Sequence, residues 1–204
     1  MMAPDAVRAS RLKLAMMFLL PLLAVGLATL VFYTGIGIPR GTTNKGVLMQ
    51  PPRQIDELRI VAADGKAWRH QDAQPDWSLL VIGEGPCAGE CRQRLYLTRQ
   101  IRTALGRDAE RITRYYLQLD GAPDPEFAAF IGKEHPDLQL LRGERVGVQA
   151  LLGRPGDPDP VAGHPVYIVD QRGFVMMYYL PAQSGRDTID DLRFLLKYSR
   201  EKVR

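Results

Sequence analysis

Leu79-Leu80-Val81-Ile82-Gly83-Glu84-Gly85-Pro86-Cys87-Ala88-Gly89-Glu90-Cys91 decides how this chain folds. The apolar run at its start reads as a strand, Gly and Pro stop it, and the chain's two cysteines follow at once. Behind them Leu95, Thr98, Ile101 and Leu105 recur at helical spacing, so the cysteines fall where a strand hands over to a helix. The unpaired N–H groups and the positive dipole end of a helix favour a thiolate there and lower the pKa of the leading cysteine. Arg92, Arg94, Arg99 and Arg102 add the same sign, most of them expected to project into water.

Cysteines at i and i+4 lie on one helix face with Cα atoms roughly 6 Å apart, within the span of a disulfide. The same two sulfurs can converge on a soft metal, since thiolates select Cu(I), Zn or Fe–S centres. Two sulfurs alone leave a zinc site incomplete. The pair therefore reads as a redox couple or as two ligands of a copper site. A plain stapling bridge is the third reading, and its small loop contributes little chain entropy.

Working toward the N-terminus, Leu14 to Ile38 carries no charge and only Thr29, Tyr33 and Thr34 interrupt it. As a helix it can cross a bilayer core of about 30 Å. Arg8, Arg11 and Lys13 stand ahead of it and stay in the cytoplasm under the positive-inside rule. The expectation is a cytoplasmic segment at 1–13, a transmembrane signal anchor at 14–38 and everything later on the far side. In a bacterium that is the periplasm, an oxidising compartment. A cleaved signal peptide is the competing reading, but its small-residue site, Ala24-Val25-Gly26, falls in the middle of the run. Pro21 kinks a spanning helix without forbidding it. Residues 39–57, rich in Gly, Thr and Pro, read as a tether stiffened by Pro51-Pro52, and 58–204 as the domain it carries.

Within that domain Leu58, Ile60 and Val61 predict a short strand, Asp64-Gly65 a turn and Ala67-Trp68-Arg69 the return. Ser78–Ile82 is the central strand, the cysteine helix ends by Leu105, and Ile112–Leu119 is a second strand. A helix around Glu126–Ile131, a strand at Leu138–Leu141 and helical turns at Val146–Leu152 follow, and Gly153–Pro160 is a loop. Val166–Val169 and Phe174–Leu180 then form a hairpin about Gln171-Arg172-Gly173. Ser184 and Asp187 cap a closing helix whose apolar face is Ile189, Leu192, Leu195 and Leu196. This order predicts an α/β fold, a mixed sheet with helices on both faces behind one N-terminal transmembrane helix.

At 204 residues there is room for one anchor and one domain. The net charge of +4 is scattered, with no aromatic-basic motif or finger spacing, so nucleic acid is not an expected partner.

Gly163-His164-Pro165-Val166 opens the late strand. Proline at the first residue of a strand is ordinary, and a cis bond between His164 and Pro165 is the sharper possibility. His164 by itself reads as a loop histidine. In a sheet of this topology, however, its loop lies beside the N-terminus of the cysteine helix. There the imidazole is a third donor for copper or a neighbouring cation that lowers a thiol pKa. His70 is expected to face water and His135 to end a helix.

A strand, a Cys-x3-Cys opening a helix, and a late histidine ahead of Tyr167-Ile168-Val169-Asp170 and a Gly hairpin resemble the Sco-type family. Those are membrane-anchored, thioredoxin-like proteins that carry copper to cytochrome c oxidase. From about Leu58 onward the resemblance implies a thioredoxin-like fold and a copper site, for Cu(I) or Cu(II), made of Cys87, Cys91 and His164. It further implies a single-pass protein of the bacterial inner membrane whose partner is a cytochrome c oxidase subunit or another copper or thiol protein. Family members have proline directly after the first cysteine and before the second, where this chain has Ala88 and Glu90. Gly-His-Pro-Val is in turn similar to the cis-proline segment of ordinary thioredoxins. That keeps open an exported thiol–disulfide oxidoreductase, with Cys87 attacking, Cys91 resolving and Pro165 shaping the substrate groove. A tethered binding or scaffold domain is the remaining class. A peroxidase is not expected, since no Thr-x2-Cys precedes the helix.

Overall fold

The computed structural model describes residues 4–34, 44–73, 76–157 and 159–199. The chain divides into two compact units, Met1–Thr43 and Asn44–Arg204. The described part of the first is helix α1, Pro4–Thr34, with Pro21 inside it. Its Lys13–Thr34 portion, 22 residues long, is apolar enough to cross a membrane, and at 1.5 Å per residue it spans about 33 Å. Thr29 and Thr34 return their hydroxyl protons to the carbonyls of Val25 and Leu30, so neither leaves a bare donor on the apolar surface. The last residues of the predicted anchor, 35–38, and the start of the tether lie outside the described residues.

In the second unit the described strands are β1 Val47–Gln54, β2 Ile60–Ala62, β3 Ala67–Trp68, β4 Trp77–Glu84, β5 Ile112–Leu119, β6 Leu138–Gly143, β7 Val166–Val169 and β8 Phe174–Tyr179. They form one sheet in the order β1-β8-β7-β4-β5-β6-β2-β3. β4, β5 and β6 run parallel, and the other pairs are antiparallel. The helices are α2 Glu90–Ala104, α3 Pro125–Glu134, α4 Arg145–Leu152 and α5 Gly185–Tyr198.

β4 is central, and its side chains feed two cores. Leu79 and Val81 pack with Leu95 and Ile101 of α2, Phe127 and Ile131 of α3, and Leu192 and Leu196 of α5. Leu80 and Ile82 pack on the opposite face with Val148, Leu151 and Leu152 of α4 and with Met49 and Ile55. A strand buried on both faces must be apolar at every position, and each of these four side chains contributes about 1.5–3 kcal/mol through burial. Asp124 caps α3, and Ser184 with Asp187 forms the capping box of α5 that the sequence predicts.

Two expectations are corrected. The tether reading of 39–57 fails from Val47 onward, because Val47–Gln54 is an edge strand paired with β8. The register slips between Leu48 and Arg53, around Pro51-Pro52. Prolines lack the N–H that a ladder needs, and an edge strand with a bulge tolerates them. The Gln50–Pro51 bond is cis. Asp191 Oδ2 fixes the start of the strand by accepting from the N–H groups of Lys45 and Gly46 at 2.7 and 2.9 Å, and from the Tyr179 hydroxyl at 2.7 Å. His70, expected in water, is buried: Trp68 lies edge-on to its ring, and Nε2 is 3.3 Å from Ser78 Oγ. Burial lowers its pKa against the pull of Asp56, Asp170 and Asp76. Ser78 stands at the start of β4, the end remote from the cysteines. His135, as expected, ends α3, with its N–H on Ile131 O at 2.8 Å.

Candidate functional site

β4 ends at Glu84, and Gly85 and Gly89 take positive φ of 66° and 48° to carry the chain around to α2. Such angles strain any residue with a Cβ. Helix α2 therefore begins at Glu90, so Cys87 precedes it and only Cys91 occupies its first turn. The two Cα atoms are 5.2 Å apart and the sulfurs are bonded to each other. Cys91 is wholly buried and Cys87 is 4% exposed. Because the residues on either side of Cys87 are exposed, it is the sulfur nearer solvent.

Tyr116, from the middle of β5, ends beneath this bridge with its hydroxyl 3.6 Å from Cys91 Sγ. A disulfide sulfur carries no proton, so the phenol donates. Burial pushes the phenol up to about 12, which keeps it protonated at neutral pH. The hydroxyl occupies the space above Gly83, where a Cβ would run into it. Strand periodicity marks Tyr116 as core but does not tell what its oxygen meets.

The arginines of α2 are less free than their charge suggested. Arg92 donates from Nε to Cys87 O at 3.0 Å and lies 4.6 Å over the Phe130 ring. Arg99 donates to Glu134 O, and Arg102 to Ile112 O and the Asp137 carboxylate. Gln118 Nε2 donates to Gly85 O at 3.2 Å and holds the turn from below.

His164 sits in the loop ahead of β7 with φ at 49°. Its Nδ1 is 3.2 Å from Ile82 O. A carbonyl only accepts, so Nδ1 carries a proton, and in the neutral ring that leaves the lone pair on Nε2. The register explains the contact. Val81 pairs with Val166, so the next step sets Pro165, which has no N–H, against Ile82, and the imidazole supplies a donor instead. The His164–Pro165 bond is trans, Gln50–Pro51 being the cis bond among the described residues. Pro165 itself lines a small cleft with Met49, Tyr167 and Tyr178, residues of the core on the α4 side. The cysteines belong to the opposite core.

A bridge of charge links the two loops. Arg145, first residue of α4, reaches Glu84 Oε2 with Nη1 and Asp159 Oδ2 with Nη2, each at 2.5 Å. Glu84 is three residues ahead of Cys87 and Asp159 five ahead of His164. The N–H of Val161 and burial act in opposite senses on Asp159, and with Arg145 the balance holds its carboxyl below the usual range. No motif in the sequence announces this link.

Cys87, Cys91 and His164 thus lie toward the same end of β4, with the sulfurs bonded to each other. Among the described residues no group of three or more His, Cys, Asp or Glu side chains is assembled as a metal would need. A bonded pair of sulfurs offers no thiolate, so metal binding at this place requires reduction first.

Comparison with known proteins bears on the fold. The sequence matches no curated protein. Sco1 of yeast with copper bound is similar at a TM-score of 0.57 and 14% identity, covering 78% of this chain and 97% of that one. Apo Sco1 of Thermus thermophilus gives 0.56 and 20%, covering 76% and 99%. A putative electron transfer protein of Aquifex aeolicus gives 0.54 and 11%, covering 74% and 97%. At these identities the likeness is one of fold: thioredoxin-like and shared with Sco proteins of several species. Residues 77–199 match the family described as transmembrane-like, thioredoxin-like, C-terminal domain. That stretch runs from the first residue of β4 through α5 and includes both cysteines and His164, and on this ground the chain belongs to the transmembrane-like, thioredoxin-like family.

Proposed function

We propose that the chain is a copper-binding assembly factor of the bacterial inner membrane. It holds copper on Cys87, Cys91 and His164 in the periplasm and delivers it to cytochrome c oxidase. The observation that supports this most is the His164 contact with Ile82 O, 3.2 Å from Nδ1. A backbone carbonyl on one imidazole nitrogen is the usual partner of a metal-binding histidine, because it fixes the tautomer that leaves the other nitrogen free. A dithiol reduces the bridge and leaves as a disulfide, and any proton still on the two freed sulfurs departs as Cu(I) binds. Two soft sulfurs and one imidazole suit that ion. Release then proceeds by ligand exchange with cysteines of the partner. The copper in the yeast Sco1 structure is consistent with the same use of the fold, and Arg8, Arg11 and Lys13, ahead of the apolar part of α1, favour the periplasmic orientation.

The test is a Cu(I) titration of the reduced full chain in detergent, beside Cys91→Ser and His164→Ala. One copper per chain, weakened by both substitutions, supports the reading. No stoichiometric copper sinks it.

One observation favours a second reading: the sulfurs are joined, with no third donor assembled around them among the described residues. An exported thiol–disulfide oxidoreductase would use Cys87 as attacking thiolate and Cys91 as resolving thiol, acting on a cysteine pair of a partner. Pro165, on the other face, then shapes the approach through its backbone alone. In that case Cys87→Ser abolishes turnover and His164→Ala leaves it.

A further inference from the structure

Tyr116 has one hydrogen-bond partner among the described residues, Cys91 Sγ at 3.6 Å. Sulfur is large, so an O–H···S contact is longer than one between oxygens. The hydroxyl is wholly buried, like the sulfur it meets. An unpaired buried hydroxyl costs free energy, so a phenol aimed at a sulfur calls for an explanation. Phenylalanine would fill the same space without that cost. Gly83 strengthens the point: it lies in the middle of the sheet, and any side chain there would displace the hydroxyl.

We propose that Tyr116 is a positioning residue that sets the redox poise of the Cys87–Cys91 couple by donating its hydroxyl to the Cys91 thiolate. This deepens the reading of the same site and rests on the bridge being opened in function. In the opening step a thiolate of a reducing dithiol attacks Cys87 Sγ, the sulfur nearer solvent. The S–S bond breaks, and its electron pair leaves on Cys91 Sγ. A buried thiolate forms at that moment, and the Tyr116 hydroxyl already points at it. The second thiol of the reductant then displaces Cys87, and the reductant leaves as a disulfide. In all, two electrons and one proton reach the pair: Cys87 takes the proton, Cys91 stays the thiolate that Tyr116 holds, and the reductant's other proton goes to solvent.

The hydrogen bond is worth more to the charged sulfur than to the neutral bridge, because bonds to ionised groups are roughly twice as strong. Tyr116 therefore favours the reduced form. Without it the bridge is harder to open, and the two-sulfur form that binds Cu(I) is less populated.

The experiment is equilibration of the full chain in detergent with glutathione buffers, reading the oxidised fraction. Tyr116→Phe should lower the equilibrium constant for reduction about tenfold, or about 30 mV for a two-electron couple. Gly83→Ala should shift it the same way and add nothing when combined with Tyr116→Phe. Tyr167→Phe removes a buried hydroxyl that donates to Pro160 O at 2.7 Å in the other core, and should leave the constant unchanged. A Tyr116→Phe constant within twofold of the unsubstituted chain, or an equal shift in Tyr167→Phe, overturns the proposal. The readout uses neither copper nor a protein partner, so a chain that binds no copper yet shows the shift defeats the copper reading alone.

Discussion

His164 Nδ1 and Ile82 O stand 3.2 Å apart, and this contact joins the histidine loop to the strand that leads into the cysteines. It holds the ring in one tautomer without using Nε2. Replacing the ring should therefore remove the proposed copper donor without unfolding the loop, whose residue 164 N–H still donates to Val161 O. Losing an outer-shell partner of a metal ligand typically costs about 10–100-fold in affinity, and losing the ligand itself should cost at least that much. His164→Ala is expected to weaken Cu(I) by roughly a hundredfold in a chelator competition while the far-ultraviolet spectrum stays the same. An affinity within twofold of the unsubstituted chain removes His164 from the donor set.

Arg145 makes a second, longer connection between the same loops through Glu84 and Asp159. Ion pairs this exposed add little to global stability, so the effect of removing them should be local. In Arg145→Met, two carboxylates lose their shared cation. Amide exchange should quicken at residues 84–89 and 159–165, with Tm nearly unchanged and Cu(I) affinity reduced about tenfold. Arg145→Lys, which keeps the charge but loses the fork that spans both carboxylates, should recover part of the affinity. Unchanged exchange at both loops would show that the bridge does not order them.

What the sequence made legible follows from range. The strand at Leu79–Ile82, the helix behind the cysteines and the capping box at Ser184 and Asp187 are local patterns, and the structure bears them out. β1 was missed because its reason for being a strand lies in β8, more than a hundred residues later, while Pro51-Pro52 argued locally for a spacer. Arg114 was likewise hidden: a charged residue inside an apolar run predicts an exposed position, yet it is fully buried. Of the site, the two cysteines and His164 were visible as types with reactive chemistry. Tyr116, Arg145 and Gln118 were not, since their roles depend on which atom each side chain meets across the sheet.

Reduction of the bridge should leave the domain folded. The closed loop from Cys87 to Cys91 is only five residues, and the chain-entropy relation assigns it about 2 kcal/mol. Each kcal/mol lowers Tm by about 2–4 °C in a protein of this size. Thermal melts with and without a phosphine reductant should differ by roughly 4–8 °C, with an intact sheet on both sides of the comparison. Unfolding at room temperature on reduction would mean that the bridge is a structural staple, and both working readings of the pair would then fail.

Arg114 and Asp137 supply the clearest pH dependence. Arg114 is wholly buried in β5, with Nη1 on Asp137 Oδ1 at 2.9 Å and its other donors on Leu95 O and Thr98 Oγ1. Burial opposes the Asp137 charge, and the Arg114 cation with its hydrogen bond outweighs that, so the carboxyl sits below its ordinary value. A carboxylate whose pKa is depressed by folding stabilises the fold above its unfolded value, about 3.9, and loses that contribution as pH falls through the lower folded value. Asp137→Asn leaves Arg114 buried without its counter-charge. Breaking a fully buried pair costs about 3–5 kcal/mol, and partial exposure of Asp137 brings the expected loss here to about 2 kcal/mol at pH 7. As pH falls through the unfolded value and then the lower folded one, the wild-type carboxyl takes up a proton and comes to resemble the amide, so the gap between the two proteins should narrow. Urea melts of both at pH 7, 5 and 3 measure that gap. A difference that persists undiminished at pH 3 would mean that the shape of the side chain, and not its charge, is what Arg114 requires.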